Sequence, residues 1–229
     1  AVIAREMARA TAWRLGGRAG FSPMPAPGGV GNGVHVHMSL QDAAGVPVTH
    51  APGEPYGLSP PARAFCAGVL AHLPALCAIT APCPVSYLRL TPNRWAPTEM
   101  NVVVQDRGAA LRVCPVFAAE SAEAAARQFN FEFRVCDAAS SPYLALGALL
   151  FAGEEGLRRR LDLPPPGSAV PPLPRSLAAA LDALAASDAA AAWFGSVFLD
   201  AYLRHKRAEI AHVGEVDPAA LCARYAELY

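Results

Sequence analysis

The chain carries a run, Gly31-Asn32-Gly33-Val34-His35-Val36-His37-Met38-Ser39-Leu40, in which glycines lead into a short strand with two histidines at alternate positions. Side chains two apart on a strand share a face, so one imidazole can serve a metal and the next a ligand held beside it. The backbone N–H groups of the glycine turn can at the same time approach an anion. Three later stretches add cationic and acidic groups: Ser86-Tyr87-Leu88-Arg89-Leu90, Asp106-Arg107-Gly108-Ala109-Ala110-Leu111-Arg112-Val113, and Phe131-Glu132-Phe133-Arg134 followed by Asp137 to Leu144. In Phe131-Glu132-Phe133-Arg134 apolar and charged residues alternate, which puts Glu132 and Arg134 on one face with the phenylalanines packed behind. An arginine taken singly most often pairs with a nearby acid, and Asp106 and Asp137 are available for that. Several grouped on one face would instead repel one another unless a polyanion joined them. Their planar forks bind carboxylate or phosphate bidentately, each charged hydrogen bond contributing about 1.5–3 kcal/mol.

In order and spacing, these four motifs resemble the C-terminal half of the catalytic domain of the glutamine synthetase family, from about Gly20 to about Leu163. The resemblance implies roles residue by residue. His35 and Glu132 match ligands of a divalent metal, Mg²⁺ or Mn²⁺, and His37, Ser39 and Arg112 match positions around the ATP nucleotide. Arg89 matches the arginine that holds the carboxylate of the amino-acid substrate, with Gly31 and Gly33 in the substrate-binding loop. Arg107 and Arg134 match arginines that contact the transferred phosphoryl. The implied reaction is a ligation in which ATP phosphorylates the γ-carboxylate of glutamate and an amine then displaces phosphate to leave an amide. Neither step needs a protein nucleophile, and no Ser-His-Asp or Cys-His arrangement is evident in the sequence.

One position departs from ammonia-using members. Trp95, just before Ala96-Pro97, stands where they carry a glutamate that closes the site and helps take a proton from ammonium. Tryptophan can do neither by acid–base chemistry, whereas its ring face can hold an alkylammonium by cation–π attraction of roughly 0.5–2 kcal/mol. An organic amine is therefore placed ahead of ammonia as the nucleophile, and Trp95 is counted with the substrate-binding residues. Glu99, four residues on, is not assumed to substitute. Asn130, where arginine is common, and Ser141, where asparagine is usual, are smaller departures. The rival reading is a non-catalytic member of the family that serves as a binding or structural protein.

The composition suits a core of ordinary size. Nineteen basic and nineteen acidic residues cancel over 229 positions, so no whole-protein field draws nucleic acid or an anionic membrane, and any anion site must be local. Six scattered cysteines without a close CxxC pair, no signal sequence and no long apolar span favour a reduced cytoplasmic compartment, with the cysteines read as packing residues and not as zinc ligands. The first fifteen residues already run as a helix with no N-cap before it, as in a sequence cut from within a domain. An N-terminally truncated catalytic domain agrees with this. Family members form rings with active sites between subunits, which implies a homo-oligomer for the full-length parent.

The elements that must position these residues follow from periodicity and punctuation. The expected fold is α+β, an antiparallel sheet backed by helices as in the glutamine synthetase/guanido kinase catalytic domain. Residues 1–163 form the C-terminal part of that domain, and 164–229 form a proline-rich linker and peripheral helices of it. A short strand is predicted at Phe21 to Pro25, a loop at Asp42 to Pro61 with five prolines and three glycines, and a helix at Ala62 to Ile79 kinked by Pro74. Asn101 to Val104 and Leu111 to Val116 read as a hairpin with Arg107 near its tip. Ala118 to Gln128 reads as a short helix, and Pro142 opens an apolar helix through Ala152, with Gly153 and the basic run Arg158 to Arg160 near its end. Three helices close the chain: Ser176 to Ala186, Ala189 to about Ala211, and Pro218 to Leu228, the last capped by Asp217.

Overall fold

The computed structural model describes residues 1–229. Its sheet has four strands, β1 (Val36–Met38), β2 (Val102–Val104), β3 (Leu111–Val113) and β4 (Phe131–Phe133), in the order β1-β4-β3-β2. Apolar residues alternate with polar ones in β1, β3 and β4, so one face of the sheet is apolar and the other carries His37, Arg112 and Glu132. Phe131, Phe133, Leu111 and Val113 are buried on the apolar face.

β1 and β3 both pair antiparallel with β4, as expected. β2 does not form the expected hairpin with β3: the two strands run parallel, Val102 opposite Leu111 and Val104 opposite Val113, so the sheet is mixed. Parallel neighbours usually need a crossover of a dozen or more residues. Here each strand is three residues long, so the return path is only about 10 Å, within reach of the connecting residues 105–110, which extended could span about 20 Å. The Asp106 carboxylate accepts a hydrogen bond from the Gly108 N–H at 2.7 Å, and the Asn101 side chain accepts one from Ala110 N at 2.9 Å, which together shape the turn.

Helices cover the apolar face. α1 (Val2–Arg14) is followed by α2 (Pro60–Ala71), α3 (Leu73–Thr80), the single turn α4 (Ser86–Arg89), α5 (Ala122–Gln128) and α6 (Pro142–Arg159). Ser59 caps α2 by accepting from Ala62 N, and prolines fill the first helical positions, where no N–H partner is lost. The expected kink at Pro74 is a 73° bend between α2 and α3. α2 and α6 cross backbone to backbone, because a Cβ added at Gly68 would lie 2.8 Å from Gly156 Cα. The Phe65 ring of α2 then reaches the Phe131 ring of β4 at 5.8 Å between centroids. α6 continues past Ala152 and ends at Arg159, within the basic run expected near its end, where Arg160 takes a left-handed conformation at φ 52°. α5 starts at Ala122, with Ser121 as its cap.

The end of the chain is four helices, α7 (Leu177–Ala185), α8 (Asp188–Phe194), α9 (Ser196–Val213) and α10 (Pro218–Leu228). Gly195, at φ 75°, divides the expected helix from Ala189 into α8 and α9. Leu177, Leu181 and Leu184 of α7 belong to the same core as α2 and α3. The proline-rich stretch before α7 is pinned to the loop ahead of β2, with Met100 N donating to Pro171 O and Leu173 N to Thr98 O, each at 2.9 Å. Asp217 caps α10 as expected, accepting from Ala219 N at 2.9 Å and Ala220 N at 3.1 Å. The expected strand at Phe21 to Pro25 is absent: Phe21 N donates to Tyr229 O and Pro23 O accepts from Asn32 N, so this segment is tied to two different places and joins no ladder. α1 buries none of its residues, leaving Ile3, Met7 and Trp13 exposed.

Candidate active site

Strand register builds the site. His37 of β1 and Arg112 of β3 both lie directly opposite Glu132 of β4, so three charged or titratable side chains form a row across the polar face. His35 and Arg134 lie one alternation further along β1 and β4, on the same face. Glu132 is only 2% exposed and is fully engaged. Its Oε1 accepts from Arg112 Nη1 at 2.7 Å and Arg134 Nη1 at 2.5 Å, while its Oε2 lies 2.8 Å from His37 Nε2 and 3.6 Å from His35 Nδ1. Burial pushes the Glu132 carboxyl toward its neutral form, but the Arg134 hydrogen bond and the charges of Arg134, His35 and Arg112 outweigh it and hold its pKa below the ordinary value.

Arg134 is the hub of this face. Besides Glu132, its Nε donates to Arg107 O at 3.1 Å, its Nη2 to Trp95 O at 3.0 Å, and its Nη1 lies 3.1 Å from His35 Nδ1. One buried guanidinium thus joins the strand to the two loops that overhang it. Partial burial and the Arg134 charge lower the pKa of His35 from 6.5 to about 4, the neighbouring Glu132 opposing them, so the imidazole is neutral and has a lone pair at neutral pH.

Arg89, at the end of α4, is 4% exposed and is held from below. Its Nη2 donates to Val135 O and, at 3.1 Å, to Cys136 O, while its Nε has no partner. The fully buried Asp137 lies close enough to offset its charge; burial raises the pKa of Asp137, and Arg89 opposes the rise. The glycines of the preceding loop lie on this arginine. A Cβ at Gly31 would come within 2.7 Å of Arg89 Cγ, and one at Gly33 within 3.1 Å of Arg89 Nη1. Absence of side chains there is what lets the loop pass over Arg89.

These groups open into a cavity of about 370 Å³. Of the residues expected in a site, Gly31, Gly33, His35, Arg89, Trp95, Arg107, Arg112 and Arg134 line it. Glu132 and His37 are outside the lining; they pair with each other at 2.8 Å, and Glu132 is joined to the cavity through Arg112 and Arg134. Ser39 lies beyond the end of β1, exposed and away from the cavity lining. Arg94 also lines the cavity and was not picked out from the sequence; it is held by Thr91 Oγ1 at 3.0 Å and Gly29 O at 2.8 Å. Its only sequence signal is its place next to Trp95, since an isolated loop arginine has the same spacing as a solvated one. Trp95 is 75% exposed in a left-handed backbone conformation, φ 51°. Glu99 instead pairs its backbone with Pro172 and lines other cavities. Five arginines therefore face one cavity, and the nearest carboxylate, Glu132, already answers two of them. That excess of fixed positive charge suits a polyanionic ligand.

The profile of the family described as glutamine synthetase, catalytic domain, matches residues 1–221. A γ-glutamylpolyamine synthetase of Streptomyces coelicolor is 41% identical over 71% of this chain and 34% of its own length. A glutamine synthetase of Streptomyces filamentosus is 34% identical over 93% of this chain and 47% of its own. Among solved structures, a crystal structure of a novel glutamine synthase homolog superposes with a TM-score of 0.88 at 45% identity, covering all of this chain and 53% of that one. The structure of apo GmaS without ligand gives 0.79 at 30% identity, over 94% of this chain and 50% of that one. The chain spans about a third to a half of the length of these curated relatives.

Proposed function

Because the chain belongs to the glutamine synthetase catalytic-domain family, we propose that it supplies the phosphoryl- and carboxylate-binding half of an ATP-dependent ligase that joins the γ-carboxylate of glutamate to an amine. The observation that carries this reading is the set of five arginines facing one cavity whose lining holds no carboxylate, with Glu132 engaging two of them and Asp137 beside Arg89 from outside it. An acyl phosphate intermediate carries its charge on the oxygens such a set can hold, and fixed guanidinium groups stabilise charge spreading over a phosphoryl in transfer without reorganising.

Each residue has a part. Arg89, preset by the carbonyls of Val135 and Cys136, takes the α-carboxylate of glutamate, with the Gly31 to Gly33 loop closing over it. On this reading Arg107 and Arg134 bear on the phosphoryl, and Arg112, His37 and Ser39 take the nucleotide roles that the resemblance implies, with His37 and Ser39 outside the cavity lining. The neutral imidazole of His35 and Oε2 of Glu132 are donors of the type a divalent cation accepts, though hard ions such as Mg²⁺ and Mn²⁺ prefer a shell richer in oxygen than this pair provides. His35 and Glu132 would therefore hold part of that shell, and the bound ion would offset phosphate charge during transfer. ATP's γ-phosphoryl passes to the carboxylate oxygen, and the amine nitrogen then attacks the acyl carbon; phosphate leaves and the amine gives up its proton. Trp95 places an aromatic face where an acid could take that proton, which favours an organic amine whose carbon chain can lie on the ring. Similarity to a γ-glutamylpolyamine synthetase supports the same choice.

Phosphate release by the full-length protein carrying this chain, measured with ATP, Mg²⁺ and glutamate against ammonia and a panel of mono- and polyamines, tests the reading. Release that depends on both glutamate and an amine is expected. Tight nucleotide binding with no amine-dependent release would instead mark a binding protein.

A further inference from the structure

Cys114 stands apart from the other cysteines. Cys66 and Cys77 are wholly enclosed in the apolar core, whereas the sulfur of Cys114 lies 3.7 Å from His37 Nδ1. The residue continues the β3 ladder, its N–H donating to Asn130 O at 3.0 Å, and it is two positions on from Arg112, so its side chain points to the same polar face. One donor atom each from His37, Cys114 and Glu132 falls within 4.8 Å of the other two. Around a tetrahedral Zn²⁺, with bonds of about 2.0–2.3 Å, donors stand roughly 3.3–3.8 Å apart, so closing this set takes small movements. The His37 ring, 56% exposed, meets Asn130 Oδ1 at 2.9 Å through Nδ1 and Glu132 Oε2 at 2.8 Å through Nε2, so metal binding would exchange one of these contacts for a metal–nitrogen bond, while Glu132 keeps Oε2 on this side because Oε1 is held by two arginines.

We propose that His37, Cys114 and Glu132 form a site for a thiophilic divalent cation, Zn²⁺ in the first place, with a fourth coordination position left open. The thiol gives up its proton to solvent as the metal–sulfur bond forms. Sulfur and imidazole nitrogen suit zinc and are poor donors for Mg²⁺, which holds its water and prefers oxygen. Charge points the same way. Arg112 and Arg134 flank Glu132, so a cation held by that carboxylate alone would meet two guanidinium groups, and a thiolate adds the negative charge that offsets them. Because the site shares Oε2 of Glu132 with the His35 pair and uses His37, zinc here would exclude a hard metal at His35 and displace a nucleotide from His37. The site is thus an inhibitory one for the ligase, although zinc binding itself does not require that reading to hold.

Equilibrium dialysis of the purified protein against zinc in excess Mg²⁺ is the test, with cobalt as a spectroscopic probe. Stoichiometric zinc retention is expected, weakened about tenfold or more in Cys114→Ser and in His37→Gln. The cobalt form should show a near-ultraviolet thiolate charge-transfer band that Cys114→Ser removes while far-ultraviolet circular dichroism stays unchanged. No zinc retention by the unmodified protein, or equal retention and an unchanged cobalt band in Cys114→Ser, would overturn the proposal.

Discussion

His35 lines the cavity and Glu132, outside the lining, holds two of its arginines, and the two groups respond to acid for different reasons. His35 is kept neutral by burial and Arg134, with a pKa of about 4 against an ordinary 6.5. Above the ordinary value neither folded nor unfolded chain protonates it; between the two values the unfolded chain binds a proton that the folded one refuses, so stability falls as pH drops through that window and levels off below it. Glu132, whose pKa is lowered, contributes stability that is present above the ordinary carboxylate range and lost as pH falls through its folded value. Histidine proton resonances followed by NMR should therefore show one ring titrating near pH 4, and His35→Asn should remove that signal and flatten the decline in melting temperature between about pH 6.5 and 4. A His35 midpoint near 6.5 would show that neither the burial of the ring nor the Arg134 contact acts on it in solution. On the proposed function, Trp95 bears on the choice of amine. In the full-length protein, Trp95→Glu is expected to raise ammonia-dependent turnover relative to alkylamine turnover, since general-base help amounts to about 10²–10⁴-fold when well placed. Strong preference for ammonia in the unmodified protein would remove Trp95 as a specificity determinant.

Elements act here by where they bring backbones together. α2 and α6 touch at Gly68 and Gly156, and the sheet rests on the side chains that this crossing places, Phe65 against Phe131 among them. Gly156→Ala would put a methyl into the facing helix, and overpacking of this kind costs about 1–3 kcal/mol. A fall in unfolding free energy of that size, read as a lower urea midpoint at an unchanged slope, is expected; an unaffected midpoint would mean that the helices separate freely. On the other face, the loop over Arg89 works by the same rule. Gly31→Ala meets Arg89 Cγ and Cδ, both parts of a side chain wedged by carbonyls, so glutamate affinity should fall more than fold stability does. Isothermal titration with glutamate beside a thermal melt separates the two effects.

At the scale of the whole molecule, the cavity is one-sided. Its lining is rich in arginine and poor in carboxylates, while ATP with a divalent metal calls for several oxygen ligands. The chain also spans about half or less of the length of its curated relatives. The 229-residue chain on its own is accordingly expected to release no phosphate above blank from ATP, Mg²⁺, glutamate and any amine in the panel. Robust amine-dependent turnover by that chain would show that the donors on its own sheet suffice.

Alternation alone told which residues of Phe131-Glu132-Phe133-Arg134 and Val34-His35-Val36-His37 point to the polar face, because the period of two is a property of any extended chain. Helix positions were equally legible where a proline or a cap marks an end, as at Pro74 and Asp217, whereas Ser59, inside the expected loop, turns out to cap α2. Tertiary structure decided the rest. Parallel pairing of β2 with β3 depends on how far the chain must travel between strands only three residues long, and strand composition carries no sign of direction. Gly195 splits a helix that periodicity runs through, since apolar spacing is blind to a single positive φ. Arg94 joins the cavity, Glu99 leaves it, and Cys114 comes to lie beside His37, each through loop paths and registers that link residues distant in sequence. Residue type and spacing fixed the kind of chemistry available, whereas which groups meet was set by the packing of loops and strands around Arg134 and Glu132.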